Sequence, residues 1–66
     1  MRIVLNGEPF DCAEGATLAE LIAARGFRPE RVAAERNGEL VRRADFARTA
    51  LAEGDRVEIV HFVGGG

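Results

Sequence analysis

Two Asn-Gly pairs, Asn6-Gly7 and Asn37-Gly38, restrict what this chain can fold into more than any other feature. Both residue types tolerate positive φ, which a two-residue hairpin turn demands. Met1-Arg2-Ile3-Val4-Leu5 runs into the first pair and Glu8-Pro9-Phe10-Asp11-Cys12 returns from it, so residues 1–12 read as a β-hairpin. Pro9 cannot donate to a ladder, which suits an edge or a strand start. Val32-Ala33-Ala34-Glu35-Arg36 and Glu39-Leu40-Val41 flank the second pair in the same way. Between the hairpins lies a helix signature. Thr17 and Glu20 have capping-box spacing, and Leu18, Leu21 and Ile22 share one face. Gly26 suits the left-handed residue that ends a helix, and Pro29 prevents its resumption. The spacing predicts a helix of roughly two to three turns.

Residues 42–52 are mixed, with Phe46 and Leu51 as candidate core plugs on short helical turns, and Gly54-Asp55 is a turn. Arg56-Val57-Glu58-Ile59-Val60-His61-Phe62-Val63 is the clearest strand, and Gly64-Gly65-Gly66 follows it. The order predicts an α+β domain over residues 1–63, with roughly four to five strands in a mixed sheet and one main helix packed on one face. A helical crossover allows parallel pairing, so the first and last strands are expected side by side at the centre. Residues 64–66 are expected to form a flexible glycine tail.

Bulk properties exclude several classes of function. A chain of 66 residues is one domain, and at this size only about 60% of the unfolded surface is buried. A deep catalytic pocket is hard to house in so thin a core. A hydrophobic fraction of 47% excludes disorder. Nine basic against eleven acidic side chains give a net charge of −2, the wrong sign for a phosphate-backbone binder. The single cysteine cannot form an internal disulfide, which points to a reducing cytoplasm. The apolar runs are too short to span a bilayer, and no secretory signal pattern opens the chain. One histidine and one cysteine do not make a metal site, and no glycine loop precedes a helix as a phosphate cradle requires. By itself the chain is not expected to be an enzyme or to hold a cofactor.

The tail offers chemistry of another kind. At average glycine usage three in a row occur at a given place about three times in ten thousand, so chance explains them poorly. A frayed terminus is the plain alternative, but it does not account for glycines placed directly after the strongest strand. A terminal carboxylate is ionised at neutral pH, so it can attack the α-phosphate of ATP in a partner's active site. Glycines lack Cβ and can thread a narrow channel in any backbone conformation.

Taken together, the Asn6-Gly7 hairpin, the capped helix, the run from Val32 to Val41, the Gly54-Asp55 turn and the Val57–Val60 strand leading to Gly65-Gly66 resemble the ThiS family along the whole chain. These are sulfur carrier proteins of thiamine biosynthesis with a ubiquitin-like β-grasp fold. The family often has a proline where Arg42 stands here. The resemblance implies that an adenylating enzyme similar to the ubiquitin activators uses Mg and ATP to activate Gly66. A persulfide from a cysteine desulfurase would then give a thiocarboxylate, and thiazole synthase would accept the sulfur. In that scheme Gly66 carries the sulfur, and Gly64 and Gly65 give it reach. Rival readings are a carrier like the small subunit of molybdopterin synthase, a ubiquitin-like interaction domain that never reacts at its terminus, and a small RNA-binding β-grasp domain, which the acidic balance disfavours.

Strand parity sets further expectations. Val57, Ile59 and Val63 share one face of the last strand, and Glu58, Val60 and Phe62 share the other. With one helix only one face is covered, so Val60, Phe62 and the neighbouring Val4 form an exposed partner surface unless residues 42–52 cover it. Cys12 shares parity with Phe10 and reads as a packing residue. His61 reads as a strand residue, and Arg42, Arg43 and Arg48 as a solvated basic cluster.

Overall fold

In a computed structural model, which describes residues 1–62, each Asn-Gly pair closes a two-residue turn. Asn6 and Gly7 have φ of 50° and 82°, and Asn37 and Gly38 have 53° and 87°, as a twist-matched hairpin turn requires. The strands are β1 (Arg2–Leu5), β2 (Glu8–Asp11), β3 (Val32–Arg36), β4 (Glu39–Val41) and β5 (Arg56–His61). Their order in the sheet is β2-β1-β5-β3-β4. β1 and β5 run parallel, with Leu5 opposite Val57, while β3 runs antiparallel to β5. The last strand in sequence is thus the middle strand in space, and Pro9 falls on the edge strand β2 opposite Val4. Two predicted strands are shorter than expected. Cys12 lies one residue past β2, although its N–H still bonds the Met1 carbonyl at 2.9 Å. β5 stops at His61, and Val63 lies outside the described residues, as do Gly64, Gly65 and Gly66.

The crossover between β1/β2 and β3 holds the helix α1 (Leu18–Ala24). Its capping box is complete: the Glu20 N–H donates to Thr17 Oγ1 at 3.2 Å and the Thr17 N–H to Glu20 Oε1 at 2.8 Å. Gly26, at φ 80°, turns the chain out of the helix. Pro29 does more than stop the helix, since it opens a 3-10 turn, Pro29–Arg31, where its missing N–H costs nothing.

Ile3 and Leu5 of β1, Val57 and Ile59 of β5, and Val32 and Ala34 of β3 all point toward α1, which presents Leu18, Leu21 and Ile22. Phe46, on a 3-10 segment Arg43–Arg48, and Leu51 plug the remaining side of this core. Backbone bonds from Leu18 N to Thr49 O and from Leu51 N to Ala16 O tie that connection to the helix start. Residues 42–52 therefore lie on the helix side and leave the other sheet face open. This is the ubiquitin-like β-grasp arrangement. No helix among the described residues is long and apolar enough to cross a membrane.

One polar side chain sits in the core's rim. Asp55 is 7% exposed. Its carboxylate accepts from the Ala52 N–H at 2.8 Å, Arg36 Nε at 3.0 Å and Asn37 Nδ2 at 3.1 Å. Burial alone would raise its pKa, but these donors and the Arg36 charge outweigh it, and the pKa lies below its ordinary 3.8. Asp11, exposed and paired with Arg2 at 2.7 Å, is shifted the same way. A carboxylate with a lowered folded pKa stabilises the fold above its unfolded pKa, and that stability is lost as pH falls through the folded value. Asp55→Asn should therefore lower unfolding free energy at pH 7 by about 1–3 kcal/mol and flatten the loss of stability below pH 4, as measured by urea unfolding across a pH series.

Candidate functional site

β5 divides its residues between two environments. Val57 and Ile59 are buried under the helix, while Glu58 and Val60 project from the open face. The ladder with β3 pairs Ala33 with Val60 and Val32 with His61, and it continues one step further where the Phe62 N–H donates to the Arg31 carbonyl at 2.8 Å. Val60 is 58% exposed and Phe62 53%, so two of the three residues expected on a partner surface stand free. Val4 lies on the same face but is half-buried. It pairs with Arg56, four residues before Val60, and is offset from it by about 13 Å along the strand. The apolar cluster expected around Val4, Val60 and Phe62 is thus drawn toward the end of β5, with Val4 set apart.

Leu40, 70% exposed, is the most exposed large apolar residue among those described, and the sequence reading did not single it out. The signal was available: a two-residue turn pairs Arg36 with Glu39, so Glu35 faces Leu40 and both share the open face. Glu35 also pairs with Glu58, so two carboxylates separate Leu40 from Val60. The open face is therefore an apolar end at Val60 and Phe62, an acidic middle and an isolated leucine.

The other candidate residues take quieter places. Cys12 is half-buried and packs against the core beside Phe10, as expected. Arg42 and Arg48 both pair with Asp45, at 3.3 and 3.2 Å, so part of the basic cluster is neutralised where it stands. His61 ends β5 with its ring stacked on Phe27, centroids 4.9 Å apart and planes 20° from parallel. That stack was not foreseen, because nothing local links residues so far apart in sequence. No group of three or more metal-ligating side chains occurs among the described residues. Gly64, Gly65 and Gly66, the expected reactive tail, lie outside the described residues.

Comparison with known proteins agrees with this architecture. The ThiS family model matches residues 3–66. A thiazole synthase of Magnetococcus marinus is 48% identical across all 66 residues, which make up only 20% of that protein. The chain thus spans about a fifth of that relative's length. The sulfur carrier protein ThiS of Bacillus subtilis is 38% identical over 50 residues, 76% of each chain. Among solved structures, the thiamine biosynthesis protein ThiS of Geobacter metallireducens superposes with a TM-score of 0.84, covering 100% of both chains at 38% identity.

The division of β5 between core and open face has a direct test. Val60→Ser and Phe62→Ser should each change unfolding free energy by less than about 1 kcal/mol. Ile59→Ala, one residue away and pointing inward, should cost about 2–5 kcal/mol. Urea unfolding midpoints of the three variants check the assignment.

Proposed function

The chain belongs to the ThiS family, and on that premise we propose that it is a sulfur carrier of thiamine biosynthesis that reacts at the Gly66 carboxylate. It acts as a protein cosubstrate, and the catalytic groups belong to its partners. The observation that carries this reading is a family match that runs through the glycines to residue 66. Support comes from β5, which ends at His61 beside the exposed Val60 and Phe62, three residues before the first of those glycines in sequence.

The proposed chemistry follows from the terminal carboxylate. Its oxygen attacks the α-phosphate of ATP, and pyrophosphate leaves with the magnesium that the adenylating partner supplies. The resulting acyl adenylate is open to a sulfur nucleophile. A cysteine-desulfurase-derived persulfide displaces AMP, and reduction of the S–S bond by a thiol leaves the thiocarboxylate. Gly64 and Gly65 carry no Cβ and can pass a channel that would stop other residues. The body docks outside through Val60 and Phe62, with Val4 at the margin of the contact. Thiazole synthase is the proposed acceptor, and its kinship with a stretch of the Magnetococcus marinus thiazole synthase supports that choice.

The chain incubated with Mg-ATP, a sulfur source and a ubiquitin-activator-like adenylating enzyme should gain about 16 Da, the difference between sulfur and oxygen, at its ionised terminal carboxyl. Intact mass and fragmentation would place the change on Gly66. Adding one alanine after Gly66 should abolish the gain. Phe62→Ala should weaken partner binding roughly fivefold to thirtyfold, the range of a moderate interface anchor. An unchanged mass with an enzyme active on another carrier would leave only a non-reactive interaction domain.

A further inference from the structure

Among the described residues, the end of β5 is held from one side only. On the β1 side the strand ladder ends at the Leu5–Val57 pair, and the Asn6 side chain reaches no further than Ile59. Beyond that point His61 and Phe62 rest on the β3 side, the latter through its single bond to Arg31. A ladder bond near a strand end opens readily when nothing else holds it. The Phe27 ring supplies the second hold by stacking on His61.

Phe27 is itself well placed to serve as an anchor. The left-handed Gly26 turns the chain at the helix end, and the Phe27 N–H donates back to the Ile22 carbonyl at 3.1 Å. Its side chain packs on the buried core while the neighbouring 3-10 turn ends at Arg31, which accepts the Phe62 bond. One short segment, residues 27–31, thus grips the root of the tail twice, through a ring and through a carbonyl.

We propose that the Phe27–His61 stack is a positioning device that fixes where the reactive tail leaves the domain, so that Phe27 and His61 act on activation without touching the reacting atoms. This rests on the carrier reading. From Phe62 to the Gly66 carboxyl the chain can extend at most about 13–14 Å. Glycines can absorb any bend along that path, but they cannot replace a fixed starting point. If residues 61 and 62 peel from β3, the path from the last β3-held residue to the Gly66 carboxyl grows longer and its starting point moves. Misplacement of a reacting group by about 1 Å can lower a rate about a hundredfold. The stack is also distinct from the docking contact: Val60 faces the open side, whereas His61 pairs with Val32 and lies against Phe27.

The test compares Phe27→Ala, His61→Ala and His61→Phe with the wild-type chain. The first readout is hydrogen exchange at the Phe62 amide, which needs no partner. Both alanine variants should exchange there about ten times faster while the Ile59 amide keeps its protection, and His61→Phe should restore the wild-type rate. The second is ATP–pyrophosphate exchange by the adenylating enzyme with Mg-ATP and varied carrier concentration. The alanine variants should lose about tenfold in kcat with KM for the carrier within about twofold, and His61→Phe should recover kcat. A purely structural role predicts lower Tm with unchanged kcat below the transition. Unchanged Phe62 exchange in His61→Ala, or unchanged kcat in both alanine variants, overturns the proposal. A wild-type chain that supports no exchange with an active enzyme overturns the carrier reading, and the amide measurement still reports separately whether the stack holds the root.

Discussion

The structure depends on seating β5 between β1 and β3, and two asparagine side chains finish that seating. β1 turns away after Leu5, while β5 continues and presents the Ile59 N–H and C=O to a space with no strand. Asn6 fills it: Oδ1 accepts from the Ile59 N–H at 2.8 Å and Nδ2 donates to the Ile59 carbonyl at 3.2 Å. On the other side Asn37 Oδ1 accepts from the Arg56 N–H at 2.9 Å, and its Nδ2 donates to buried Asp55. Each amide replaces the strand residue that is missing at that point. Glycine or aspartate would satisfy the same turn, but glycine has no side chain to offer and an ionised aspartate could not donate. Backbone groups on both flanks of the central strand that have no ladder partner are thereby satisfied by side chains.

This arrangement explains how one strand serves the core and the surface at once. The inward residues Val57 and Ile59 lie under α1 with the helix's three buried side chains. The outward residues follow the opposite parity and end in the apolar pair at Val60 and Phe62. Hydrogen bonding grows one-sided as the strand advances, from ladders on both flanks at Val57 to β3 alone beyond Ile59. Pairing is thus two-sided where the strand lies under the core and one-sided at His61, the last residue of the strand.

Local interactions made most of this legible. Turn geometry is decided within two residues, so the Asn-Gly pairs gave both hairpins and the Glu35–Leu40 register follows from them. The capping box and Gly26 are equally local, and they set both ends of α1. Parity along β5 predicted which residues would be buried and which exposed. What escaped was long-range. Asp55 read as a turn residue, because its burial depends on Arg36 and Asn37 arriving from another hairpin. Asn6 read as a turn former, and its bond partner Ile59 is 53 residues away. The offset of Val4 from Val60 needed the parallel register of β1 on β5, which no spacing within either strand encodes.

Because the middle strand follows the other four described strands in the chain, the order of translation has a structural effect. Before β5 emerges, the two hairpins share no strand and most of the inward side chains have no opposing wall, so only isolated pieces can form. Arrival of Arg56–His61 joins the halves and builds the open face in the same event. A nascent or clipped chain lacking that strand would have neither a closed core nor Val60 to present. The outward side of β5 therefore exists as a surface only once the fold is complete, so that whatever contacts it meets the finished domain and not a fragment.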